Sequence, residues 1–144
     1  MRLALIIFIS VFFLPKENIA QKPSGQYEND SLIVYVFMLE DCVICQNYSL
    51  TLQRLHKTFT SDQIQFKGLF PNKFSNSKKI TVYKEKYQIP FDLKRDYYQT
   101  TTKKMGATVT PEIAVYNKTK DEILYRGRID NMYYKLGKKR TITT

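Results

Sequence analysis

The segment Ser31 to Leu39 (SLIVYVFML), followed after Glu40-Asp41 by Cys42-Val43-Ile44-Cys45, constrains this chain more than any other feature. A continuous β-branched and aromatic run of this kind reads as a strand buried on both faces of a sheet. Glu40-Asp41 ends it. From Cys42 to Phe59 the apolar residues Cys45, Tyr48, Leu52, Leu55 and Phe59 recur at helical spacing, giving one stripe for burial. Asp41 stands where an N-cap carboxylate accepts the free N–H groups of the first turn. Strand, cap and helix form a βα unit with both cysteines of the chain at the mouth of its helix.

The rest of the sequence supplies a sheet around that unit. Gln63 to Phe70 fits a second strand and Pro71 to Lys79 a loop. Ile80 to Tyr87 fits one or two helical turns, with Ile80, Tyr83 and Tyr87 on one side. Ile89-Pro90-Phe91 is extended, because a residue before proline avoids the helical region. Tyr97 to Met105 forms a helix weakened by Thr100, Thr101 and Thr102, and Gly106 can end it. Glu112 to Asn117 and Glu122 to Arg126, joined by a short polar loop, predict an antiparallel hairpin. Beyond Gly127 the chain turns polar and basic, ending in Leu136-Gly137-Lys138-Lys139-Arg140. The order is β-α-β, a variable middle, a helix and a hairpin. It belongs to the α/β class, with a mixed sheet flanked by helices.

At 144 residues the chain is long enough for one domain with its own core, residues 31–144. The start reads differently. Met1-Arg2 precedes an apolar run from Leu3 to Leu14 that only Ser10 interrupts, Pro15 closes it, and Ala20 offers a cleavage point. That is the layout of a signal peptide over residues 1–20. The run is too short to span a bilayer comfortably as a helix. Asn18 is an imperfect residue for the cleavage site, so an uncleaved anchor is the alternative. Residues 21–30 form a polar linker. The expected location is therefore outside the cytoplasm, periplasmic or secreted, with contact to a membrane only through an uncleaved N-terminal segment. The net charge of +10 is scattered over most of the chain. It favours anionic partners in general and picks out no nucleic acid.

An oxidising compartment permits a disulfide between Cys42 and Cys45. A bridge closing so short a loop constrains the unfolded chain little, so chemistry explains the pair better than stability. Two sulfurs at this spacing share the first turn of the helix. The unpaired N–H groups and the positive end of the dipole favour an anion there, which lowers the pKa of the first thiol. Cys42 is then the attacking sulfur and Cys45, a turn deeper, the resolving one. Glu40 and Asp41 oppose a second negative charge, and the sequence leaves that balance open. With one histidine, His56, the chain lacks the ligands of a thiolate-rich zinc site. No metal and no cofactor is expected. His56 reads as an ordinary helix residue.

Together, the βα unit with its C-x-x-C, Val109-Thr110-Pro111 before a strand, and the closing hairpin resemble the thioredoxin superfamily. The resemblance implies a thioredoxin-like fold, a cis bond before Pro111, and Thr110 and Pro111 as part of a substrate groove beside the cysteines. Thr110-Pro111-Glu112, the segment Tyr125 to Asn131 and the basic ending resemble more specifically the exported bacterial redoxin-domain proteins related to the AhpC/TSA group. That likeness runs from about Ser31 to Arg140. Asp41 stands where thioredoxin has an aromatic residue. Tyr35 and Leu39 occupy the positions of the proline and threonine that peroxiredoxins place before their cysteine, so the groups that polarise a peroxide are missing.

The expected function is thiol–disulfide exchange on cysteine-containing proteins, with a further thiol redox partner as electron source or sink. An AhpC/TSA-like peroxide-reducing antioxidant, a non-enzymatic Cu(I)-handling module using both thiolates, and a redox-inactive binding domain are the alternatives. Arg126, Arg128, Lys138, Lys139 and Arg140 read as a solvated basic tail or a dock for an acidic partner. The glycosylation triplets at Asn47 and Asn117 are discounted.

Overall fold

In a computed structural model of the chain, residues 30–135 and 138–139 are described, with side chains through Tyr133. The leader and most of the linker expected from the sequence lie outside the described residues, as do Leu136, Gly137 and Arg140. The elements run β1 (Leu32–Phe37), α1 (Val43–Asn47), α2 (Ser49–Phe59), β2 (Ile64–Phe70), α3 (Ser77–Lys86), β3 (Asp92–Arg95), α4 (Thr100–Met105), β4 (Glu112–Asn117) and β5 (Glu122–Gly127). Two short strands, β6 (Tyr133–Lys135) and β7 (Lys138–Lys139), follow.

The sheet is five-stranded and mixed, in the order β3-β2-β1-β4-β5. β2 and β3 run parallel to β1, while β4 is antiparallel to it and to β5. β1 is central, which explains its apolar run. Its Val34 and Val36, with Met38 just beyond its end, enter one core with Phe70 of β2, Leu52 of α2, and Ile80 and Tyr83 of α3. Ile33 and Phe37 enter the other, with Met105 of α4. Burying a large aliphatic or aromatic side chain contributes about 1.5–3 kcal/mol, so this two-sided core holds the sheet to its helices.

The helix expected over Cys42 to Phe59 is two helices. Tyr48 (φ −82°, ψ −4°) separates α1 from α2. The Ser49 hydroxyl donates to the Gln46 carbonyl at 2.8 Å, offering the backbone a non-helical partner at the join. The Tyr48 hydroxyl donates to Asp130, and its ring meets Tyr133 edge-on at 5.6 Å. Asn47 donates to the Tyr133 hydroxyl at 2.9 Å, and Asp130 accepts the Met132 N–H at 2.7 Å. Asp130 to Tyr133 thus strap across the helix join; the side chains of Lys138, Lys139 and Arg140 lie outside the described residues. Arg128 serves this strap, donating to the Tyr133 carbonyl at 3.4 Å.

Three other differences have local causes. α3 begins at Ser77, earlier than the apolar pattern indicates, because the Asn76 side chain caps it by accepting from the Lys79 N–H at 3.0 Å. α4 begins only at Thr100, since Gln99 adopts a left-handed conformation before it, and it ends at Gly106 (φ 68°). β3 carries the sequence Asp-Leu-Lys-Arg, in which Leu93 alone is shielded, so it shows no apolar signal. Charged side chains on such an edge strand also discourage further strand pairing. No helix among the described residues is long and apolar enough to cross a membrane.

Candidate functional site

The site is placed by strand register. Phe37, the last residue of β1, lies opposite Glu112, the first residue of antiparallel β4. The loop leaving β1 carries Cys42, and the loop entering β4 carries Thr110-Pro111. Both therefore emerge at one end of the sheet. The structure brings together all four site residues expected from the sequence. The Thr110–Pro111 bond is cis, and the Thr110 carbonyl oxygen lies 3.8 Å from Cys42 Sγ.

Cys42 itself, and not Asp41, is the N-cap of α1. The Cys45 N–H donates to Cys42 Sγ at 3.2 Å, so the sulfur takes the acceptor role a capping carboxylate would have. Asp41 points to solvent. Both cysteines are free thiols at different depths: Cys42 is partly exposed and Cys45 fully buried. Cys42 is lowered to about 6, first by a hydrogen bond from the Cys45 thiol and then by backbone donors; these outweigh its partial burial. Cys45 is pushed up by donating that bond and by burial. The two shifts describe one arrangement: a thiolate at Cys42 and a retained proton at Cys45. The net shift at Cys42 is downward with Glu40 and Asp41 in place, so the hydrogen-bond donors prevail over the opposition left open by the sequence.

Glu40 turns inward. One carboxylate oxygen accepts from the Ser75 hydroxyl at 2.7 Å, while the other is buried with no partner among the described residues. The Tyr83 hydroxyl is likewise buried without one, and burial pushes its pKa up. Glu40 and Tyr83 line the same groove of about 370 Å³ beside the cysteine helix. Tyr83 looks like plain core in the sequence, and nothing there indicates that its hydroxyl stands near the sulfurs.

Residues discounted from the sequence have structural uses. His56 meets Phe66 edge-on at 5.3 Å and lies tilted against Phe91 at 5.7 Å. Asn117 is fully buried and donates to Asp30 at 2.9 Å. Arg126 pairs with Glu112 at 3.7 Å. Among the described residues there is no group of three side chains suited to hold a metal ion.

The same architecture occurs in solved structures. An uncharacterised conserved protein from Geobacillus kaustophilus superposes with a TM-score of 0.66 at 20% identity, over 78% of this chain and 61% of that one. The chain thus spans under two thirds of that protein's length. A thioredoxin-like protein from Aeropyrum pernix gives 0.58 at 14% identity, covering 69% of this chain and 70% of that one. A secreted disulfide oxidoreductase from Mycobacterium tuberculosis gives 0.53 at 14% identity, covering 65% and 66%. No protein-family model matches the sequence, and no curated protein matches it. The fold is thioredoxin-like, of the α/β class, as the resemblance implied.

Proposed function

We propose that this chain is a thiol–disulfide oxidoreductase acting outside the cytoplasm on cysteine-containing proteins. The observation that carries the reading is the asymmetry of the pair, a partly exposed Cys42 lowered to about 6 over a buried, protonated Cys45. The solved structure of a secreted disulfide oxidoreductase with the same fold supports it, as does the apolar run Leu3 to Leu14 for the location.

The chemistry follows from depth. The Cys42 thiolate attacks one sulfur of a client disulfide; a Cys42–client bond forms, the client S–S bond breaks, and the second client sulfur leaves as thiolate. Cys45 then loses its proton to that thiolate and attacks Cys42. The Cys42–Cys45 disulfide forms as the Cys42–client bond breaks, the client's first sulfur leaves as thiolate, and two electrons have passed to the client. Run backwards, the same steps oxidise a client dithiol. A thiol partner of opposite redox state resets the pair. Thr110 and Pro111 form the wall of the groove that receives the client backbone.

Insulin reduction with dithiothreitol as electron source tests this. The wild-type chain accelerates precipitation of the insulin B chain, and Cys42→Ser abolishes the acceleration. Full activity in Cys42→Ser would refute the reading.

A further inference from the structure

Resting on that reading, we propose that Glu112 and Arg126 form a positioning pair that holds the Thr110 backbone at the height needed to dock polypeptide disulfides beside Cys42. Glu112 follows Pro111 directly and is 6% exposed. A carboxylate taken so far from water needs strong partners. One of its oxygens accepts the backbone N–H groups of Thr108 at 2.8 Å and Val109 at 3.2 Å. The other lies 3.7 Å from Arg126 Nε on β5. The Arg126 guanidinium in turn donates to the carbonyl of Gly106, where α4 ends. It lies so close that a Cβ at Gly106 would stand 2.5 Å from its Nη1.

The loop between α4 and β4 is therefore gripped at two places by one ion pair, through Gly106 at its start and through Thr108 and Val109 at its middle. Two consequences follow. The N–H groups of Thr108 and Val109 are engaged by the carboxylate, so backbone pairing with a client falls to Thr110. The Thr110 carbonyl, 3.8 Å from Cys42 Sγ, is also fixed relative to the sulfur. Pairing of β4 with β5 runs through the main chain, with Ile113 opposite Gly127 and Ala114 opposite Arg126. Loss of the side-chain pair thus releases the loop while the hairpin persists.

The test compares two substrates, insulin and the small aromatic disulfide dithiobisnitrobenzoate, which is too small to pair along the loop. In Glu112→Ala the KM for insulin rises about tenfold while kcat stays within about twofold, because misplacement weakens docking and leaves the sulfur intact. The rate with the small disulfide changes far less, and the pH midpoint of Cys42 alkylation stays well below that of an ordinary cysteine, because the Cys45 donors are untouched. Glu112→Gln keeps an acceptor for the two N–H groups but turns an amide toward Arg126, so its KM rises less; it also serves if the alanine variant fails to fold. Equal losses on both substrates, or an unchanged insulin KM in a folded Glu112 variant, would overturn the proposal. A wild-type chain that reduces neither substrate would instead sink the oxidoreductase reading, so the two failures are distinct.

Discussion

Replacing Cys45 with alanine removes the thiol donor that contributes most to the acidity of Cys42. A hydrogen bond to a charged group is worth about 1.5–3 kcal/mol. At about 1.36 kcal/mol per pH unit, its loss raises the thiol by roughly one to two units. The Cys45 backbone N–H, 3.2 Å from the sulfur, remains and keeps part of the depression. The Cys42 midpoint should move from about 6 to roughly 7–8. At pH 7 the thiolate fraction then drops from about 90% to roughly 10–50%. The assay is the pH dependence of iodoacetamide alkylation, alongside the ultraviolet absorbance of the thiolate. The midpoint is the quantity to read, because a more basic thiolate is intrinsically a better nucleophile and masks part of the loss in rate. A Cys45→Ala midpoint still at 6 would show that the thiol bond does not hold the anion. A wild-type midpoint near that of an ordinary cysteine, about 8.5, would refute the whole electrostatic account.

Three further outcomes are expected. The stabilised thiolate favours the dithiol state, so equilibration with glutathione should give a potential above the roughly −270 mV of thioredoxin and below the roughly −120 mV of the strongest dithiol oxidants; a value more negative than thioredoxin's would contradict this. In Gly68→Ala the new Cβ would stand 2.3 Å from Leu93 Cδ2 and 2.8 Å from Met38 Cε, and overpacking of this kind costs about 1–3 kcal/mol, readable as a lower urea midpoint. Asn117→Ala strips the N–H groups of Thr119 and Lys120, and the buried Asp30, of a partner; a loss of about 1–3 kcal/mol in urea unfolding is expected, and unchanged stability would count against the network.

What was legible in the sequence followed from periodicity and punctuation. The apolar run before Cys42 marked the central strand, and the hairpin showed itself by a polar break between two β-rich runs. Gly106 ended its helix by adopting the left-handed conformation that glycine tolerates. The features that escaped depend on distant partners. Nothing in Tyr48 announces that Asp130 and Tyr133, far along the chain, will grip it at a helix join. β3 escaped because its pairing with β2 is a backbone property carried by mostly charged side chains. At the site, spacing indicated which residues share the chemistry. It did not indicate that a cysteine sulfur would cap its own helix, or that Glu40 would fold inward to Ser75. The Glu112–Arg126 pair joins residues on neighbouring strands through register, which becomes visible only once the sheet is assembled.

The unequal depth of the two sulfurs has a practical consequence. A bulky thiol label applied to the native dithiol protein should count one cysteine, and after unfolding it should count two, since Cys45 has no exposed surface. The same geometry makes Cys45→Ala a means of arresting the reaction halfway. A client caught on Cys42 then has no second sulfur to release it, and the covalent adduct can be isolated and its polypeptide sequenced.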